Sequence, residues 1–197
     1  MKAVIFFTEV AQQYEHKNME HMIGEKLLET GLLREYGLKL KEEPRATGEH
    51  GKPFLILQPK IHYNITHSGK YVMCILAGQE VGIDVQQHRK ANYERMLERM
   101  VPQDMIREIL DADEPEKAFF TQWVLREAYI KWTGAFERSS DDFTGGRFLY
   151  TFRIRGRLQR CCLVTGSAGA AVGACRCTAS VNAYIYDPCG ESATGIL

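Results

Sequence analysis

Trp123-Val-Leu-Arg-Glu-Ala-Tyr-Ile-Lys-Trp-Thr-Gly134 is the stretch on which the fold turns. With Phe119 and Phe120 just before it, its residues Trp123, Val124, Ala128 and Ile130 form one wide apolar surface. It therefore reads as a central core helix stopped by Gly134. Glu127 and Lys131 stack at i and i+4 near the edge of that surface. A second segment, Val81-Gly-Ile-Asp-Val-Gln86, alternates as a strand. Val81, Ile83 and Val85 share one face, and Gly82, Asp84 and Gln86 the other. Gly82 leaves open space beside Asp84, and the backbones of Asp84 and Gln86 lie about 7 Å apart. Two carboxylates, an amide and a lysine on two elements suit a hard metal ion and a phosphate. Each segment alone also has a plainer reading. The strand's polar residues can simply face outward, and an i,i+4 Glu–Lys pair is commonly a solvated one, worth about 0.2–0.5 kcal/mol. Three aromatics around Glu127 and Lys131 point to partial burial, where charges need partners.

Working outward, residues 2–8 read as a strand, and His16 to Tyr36 as a helix with an apolar stripe through Met19, Met22, Ile23, Leu27 and Leu33. Gly37 stops it. Lys39 to Lys52 is charged and turn-rich, and Phe54 to Leu57 is a short strand. His62 to Ser68 alternates as a strand, Tyr71 to Ala77 is a continuous apolar run expected to be buried on both faces, and Gly78-Gln79-Glu80 reads as a loop that makes 71–87 a hairpin. Polar amphipathic helices are expected near 92–100 and 102–111. Asp113 reads as the N-cap of the core helix, with Glu116 completing a capping box and Pro115 tolerated in the first turn. The tail reads as strands over 148–155, 157–165 and 175–186, separated by glycine turns. This order predicts an α+β protein of two similar lobes meeting near residues 80–90.

The chain has 197 residues, enough for one compact domain or two small intimate lobes. Lysine plus arginine and aspartate plus glutamate are both 25, and this balance argues against a broad nucleic-acid or membrane-surface footprint. No apolar run approaches the roughly 20 residues that span a bilayer. The first residues lack a cleavage pattern and read as a strand, so a cytoplasmic location is expected. Of six cysteines, none forms a CxxC pair. Cys161-Cys162 and Cys175-x-Cys177 admit a metal-site reading, but without supporting histidine spacing the preferred reading is reduced thiols filling a strand-rich core.

Asn64-Ile-Thr-His-Ser-Gly69 clusters hydroxyls, an imidazole and turn N–H groups at a strand end. Such a cluster can hold a phosphate, and equally can be a polar turn with a capping histidine. Gly51-Lys52-Pro53 presents a lysine from a rigid turn, where the plain reading is a solvated side chain. Ser68 sits in no GxSxG elbow, and His67 points to the opposite strand face, which argues against a Ser–His nucleophile. No GxGxxG or Walker-type loop is present.

Taken in order, Gly51-Lys-Pro53, Asn64-Ile-Thr-His-Ser68, Gly82-Ile-Asp-Val-Gln86 and Trp123-Val-Leu-Arg-Glu-Ala128 with Lys131 resemble the motifs of the 4′-phosphopantetheinyl transferases of the surfactin-synthetase-activating type. The match runs from about residue 45 to 134, with a weaker echo at His16-Lys17. The resemblance implies two pseudo-symmetric lobes, 1–80 and 81–197, with coenzyme A in the cleft between them and no need of a second copy. It implies transfer of 4′-phosphopantetheine from coenzyme A to a serine of an apo acyl or peptidyl carrier protein, with release of adenosine 3′,5′-bisphosphate. By the same resemblance Asp84 and Glu127 bind Mg²⁺, with Gln86 beside them. Lys131 neutralises phosphate charge, and Lys17, Arg45, Lys52, Thr66 and His67 hold coenzyme A. Glu127, close to the metal, is placed to take the serine proton. Three residues depart from the family pattern. Gln86 replaces a common Glu, Thr66 a Ser, and Arg126 a Lys. Loss of a carboxylate at 86 leaves a non-catalytic coenzyme A-binding protein as the rival reading.

Overall fold

The computed structural model describes residues 3–10, 19–49, 51–87 and 92–134, together with the backbone of short strands at 148–152, 159–165, 184–185 and 193–194. Strand β1 (Ala3–Glu9) is followed by helix α1 (Met19–Tyr36), a small hairpin of β2 (Arg45–Thr47) and β3 (Pro53–Leu55), then β4 (His62–Ser68) and β5 (Tyr71–Ala77). Strands β1, β4 and β5 form an antiparallel sheet with β5 in the middle, extended past β1 by β9 (Tyr184–Ile185) and β10 (Ala193–Thr194). The position of β5 explains its unbroken apolarity. Val72, Cys74 and Leu76 face Leu27, Leu28 and Leu32 of α1 in one core. Tyr71, Met73, Ile75 and Ala77 face Val81, Ile83 and Val85 in another. A central strand with apolar matter on both faces has no polar face to alternate with.

The expected 71–87 hairpin does not form. Strand β6 (Val81–Gln87) leaves the first sheet and pairs antiparallel with β8 (Gln159–Thr165), itself paired with β7 (Phe148–Phe152). Residues 78–80 carry the chain from one sheet to the next, because β4 and β1 already fill both edges of β5. Helices α2 (Tyr93–Leu97), α3 (Gln103–Leu110) and α4 (Pro115–Thr133) complete the described part. Phe119 and Phe120 of α4 bury against Leu97, Met100, Ile106 and Ile109.

Local chemistry departs from expectation at several ends. The N-cap of α4 is Glu114 without a side-chain cap bond, so the Asp113–Glu116 capping box is absent. Asn92 does cap α2, its side chain accepting from the Arg95 N–H. The third strand begins at Pro53 and ends at Leu55, leaving Ile56 and Leu57 exposed, and 45–47 within the expected turn-rich stretch is its hairpin partner. Most of the expected strand from Cys175 to Tyr186 lies outside the described residues, as do Lys17 and the side chains of every cysteine but Cys74, a buried free thiol. Among the described residues no helix is long and apolar enough to cross a membrane.

Candidate functional site

Gly82 decides how closely α4 approaches β6. A Cβ there would stand 2.5 Å from the Trp132 backbone nitrogen and closer still to the Ala128 carbonyl oxygen. The space expected beside Asp84 is therefore filled by helix backbone. The missing side chain lets α4 lie directly on the strand, which brings the second residue along, Asp84, to the helix residues one turn apart at 127 and 131.

Asp84 is 5% exposed. Its Oδ1 accepts from the Lys131 ammonium at 2.6 Å and from the Thr66 hydroxyl at 3.0 Å. The Thr66 oxygen in turn accepts from Lys131 at 2.9 Å and from the Val85 N–H at 3.4 Å. One hydroxyl proton and two lone pairs are thereby all used. Asp84 Oδ2 is buried with no hydrogen-bond partner. Burial pushes the Asp84 carboxyl above its usual range, against the pull of the Lys131 charge and of both hydrogen bonds. Glu127 is half-buried and also shifted upward, first by desolvation and then by the charge of Asp84, with Lys131 and Arg126 opposing. Two carboxylates that repel each other in a dry place, one with an idle oxygen, form a pair that a cation relieves.

The other expected residues are distributed more widely. The ammonium of Lys52 is half-enclosed, donating to Glu80 and, at 3.1 Å, to the Trp132 carbonyl, so it sits at the same helix end as Lys131. Glu80 also faces His62 Nδ1 at 3.1 Å. Arg45 is exposed and makes a two-point pair with Glu25 at 2.8 Å, which holds its charge firmly. His67 is exposed on the face of β4 opposite Thr66. Gln86 shares the face of Asp84, but its amide donates to the Gln87 carbonyl at 3.2 Å. Arg126 is buried and donates to the Met100 carbonyl, tying α4 to the end of the α2 region. Sequence reading missed the close approach at Gly82 and the Lys52–Trp132 tie. A glycine inside a strand was the available signal for the first. The second had none.

The donor set fits a hard divalent ion. Among the described residues no group of three or more His, Cys, Asp or Glu side chains converges. Mg²⁺ characteristically takes one or two carboxylates and fills its remaining positions with phosphate oxygens and water. Asp84 Oδ2, which has no hydrogen-bond partner, and Glu127, which feels the charge of Asp84, are the carboxylates that would fit such a set.

The strand and helix that carry this site fall in the part of the chain that resembles known proteins. Residues 80–172, which contain Gly82, Asp84, Gln86, Arg126, Glu127 and Lys131, match the family model of the 4′-phosphopantetheinyl transferase superfamily. This segment is similar to that superfamily over a little under half of the chain. It is 30% identical over 131 residues to the 4′-phosphopantetheinyl transferase Sfp of Bacillus subtilis, covering 64% of this chain and 58% of that protein. It is 27% identical over 114 residues to the 4′-phosphopantetheinyl transferase gsp of Aneurinibacillus migulanus, covering 57% of this chain and 47% of that one. A putative 4′-phosphopantetheinyl transferase of Haemophilus influenzae is 33% identical over 91 residues, 44% of this chain and 38% of the relative. The chain thus spans less than two thirds of the length of these relatives.

Proposed function

We propose that this protein transfers the 4′-phosphopantetheine group of coenzyme A to a serine of an apo acyl or peptidyl carrier protein, in a Mg²⁺-dependent reaction that releases adenosine 3′,5′-bisphosphate. The observation that carries the reading is the buried Asp84 carboxylate, with one oxygen held by Lys131 and Thr66, the other idle, and its charge felt by Glu127. Coenzyme A lies between an N-terminal lobe, 1–80, and a C-terminal lobe, 81–197. The reading includes action as a monomer in the cytoplasm, with no nucleic acid or membrane partner.

In the transfer a bond forms between the serine Oγ and the phosphorus of phosphopantetheine, and the bond from that phosphorus to the adenosine bisphosphate oxygen breaks. Such chemistry needs positioning and charge neutralisation more than covalent help. Asp84 Oδ2 and Glu127 would hold Mg²⁺, which when bound would supply charge neutralisation at the pyrophosphate. Lys131 stabilises charge on the phosphates, its ammonium held by Thr66 and Asp84. Glu127 takes the serine proton, directly or through a water. Lys52, on the carbonyl of Trp132, presents a second ammonium at the same helix end. Arg45 and His67 contact further coenzyme A phosphates, a role also assigned to Lys17, which lies outside the described residues, and Arg45 exchanges its Glu25 partner when it binds phosphate. Gln86, on the face of Asp84, would bind the ion by its amide oxygen or orient a water on it.

Incubation with coenzyme A, Mg²⁺ and a panel of apo carriers, read by intact mass, tests the proposal. The expected result is one phosphopantetheine added to a carrier serine. Saturable coenzyme A binding with no adduct on any carrier overturns it in favour of a non-catalytic binding protein.

A further inference from the structure

Strand β6 pairs with β8 along one edge. Along its other edge, among the described residues, no backbone ladder joins it to β4. Its N–H groups there are nevertheless satisfied. The Ile83 N–H donates to Asn64 Oδ1 at 3.1 Å, the Val85 N–H to Thr66 Oγ1 at 3.4 Å, and the Gln87 N–H to Ser68 Oγ at 3.1 Å. Each pair is separated by the same 19 residues, so β4 and β6 run parallel with a fixed register. Alternate side chains of β4 thus do the work of a neighbouring strand's carbonyls. At the far end Gln87 folds over Gly69, whose φ is +54° and where a Cβ would stand 2.7 Å from the Gln87 carboxamide carbon.

We propose that Asn64 and Ser68 are positioning residues: as the outer rungs of this ladder they fix β6 along its axis and so set where Asp84 presents its carboxylate. The proposal rests on the functional reading above. Apolar contacts of Val81, Ile83 and Val85 with the first sheet choose which face of β6 turns inward, but they are non-directional and tolerate sliding. Hydrogen bonds do not. Asp84 lies between the Asn64 and Thr66 rungs, and Thr66 is both a rung and a partner of Asp84 and Lys131. A small displacement of β6 therefore moves the carboxylate relative to Thr66, Lys131 and Glu127 together. A slip of one residue would replace Asp84 by an apolar side chain. The hydrogen bonds described here for Asn64 and Ser68 go to β6 backbone, not to Asp84, Glu127 or Lys131, so they act through the strand.

Ser68→Ala, Ser68→Thr and Asn64→Ala test this, with three readouts: hydrogen exchange of the Ile83, Val85 and Gln87 amides, Mg²⁺ affinity by calorimetry with the metal alone, and kcat and KM for carrier modification. Ser68 is half-buried and on the strand's open end, so its variants keep the test valid if Asn64→Ala fails to fold. Ser68→Ala is expected to speed exchange at Gln87 and Val85, to weaken Mg²⁺ binding roughly tenfold, as loss of a supporting partner behind a ligand does, and to lower kcat more than it raises KM. Ser68→Thr, which keeps the hydroxyl, should restore all three. If wild type binds Mg²⁺ and modifies carriers while Ser68→Ala and Asn64→Ala lose thermal stability but keep its Mg²⁺ affinity and kcat, the rungs are structural only and the proposal is overturned. A wild type that neither binds Mg²⁺ nor modifies a carrier overturns the functional reading instead.

Discussion

The two faces of β6 are built from one strand of seven residues and do opposite things. One presents Val81, Ile83 and Val85, all buried, to the first sheet. The other presents Gly82, Asp84 and Gln86 toward α4, where a carboxylate with an unpaired oxygen is kept. The apolar face can be exchanged for other apolar matter of similar volume at modest cost. The polar face cannot, because the buried Asp84 carboxylate depends on the Lys131 charge and the Thr66 hydroxyl set opposite it. The difference predicts that substitutions on one face are felt in stability and on the other in chemistry.

The largest effect is expected at Asp84. Asp84→Ala should reduce transfer by about 10²–10³-fold, comparable to removing a preorganised charge-stabilising group. Glu127→Ala should do nearly as much, and the double variant little more, because residues acting as a unit lose most activity at the first deletion. Single-turnover rates decide it, and a double variant slowed by the product of the two single effects would separate the carboxylates. On the other face, Ile83→Ala should cost about 2–5 kcal/mol of folding stability while leaving kcat of the folded protein unchanged. Denaturant unfolding beside steady-state kinetics checks this, and a large fall in kcat would break the division between faces.

Gly82→Ala is the substitution expected to affect both sides. Its methyl group meets the backbone of α4, which can only move away. Overpacking of this kind costs roughly 1–3 kcal/mol, and the separation of Asp84 from Lys131 should lower transfer as well. Unchanged activity in a destabilised protein would mean that α4 sits loosely on β6. A pH dependence follows from the raised carboxyls. Asp84 is shifted up chiefly by burial, and Glu127 by burial and then by Asp84. An acid whose pKa is raised on folding binds its proton more tightly in the folded state. Its contribution is full below the ordinary carboxylate range and is lost as pH rises through that range to the raised value. The thermal midpoint of wild type relative to Asp84→Asn should therefore fall as pH rises from about 4, and added Mg²⁺ should recover more of it at neutral than at acid pH. A wild-type midpoint that rises relative to Asp84→Asn as pH increases in the absence of Mg²⁺ would contradict it.

The smallest effect is expected at Gln86. Gln86→Glu adds a charge on the face of Asp84 and should lower the Mg²⁺ concentration for half-maximal activity a few-fold. Superimposable Mg²⁺ titrations would put residue 86 beyond the ion's influence.

The core helix 115–133, the strand 81–87 and the doubly buried strand 71–77 were all legible, because period and run length report directly on which side chains meet apolar matter. The pairing of β6 was not. A three-residue connection between two apolar strands reads locally as a hairpin, whereas the partner of β6 lies in β8, more than 70 residues on. The polar alternation of Asn64, Thr66 and Ser68 was visible as a cluster, but nothing local distinguishes side chains that await a phosphate from side chains that accept strand N–H groups.

By itself, then, the sequence determined that Asp84 lies on one face of a strand and that Glu127 and Lys131 lie one turn apart on a core helix, since backbone periodicity is a property of neighbours in the chain. Their order along the chain also sufficed to point to the transferase superfamily. Only the tertiary structure decided that the helix lies on the strand at Gly82, that Lys131 and Thr66 share one oxygen of Asp84 while the other stays idle, and that β4 holds β6 through its side chains. Those facts depend on contacts between segments 18 to 65 residues apart. Such contacts are fixed by the packing of whole elements, and no local pattern encodes it.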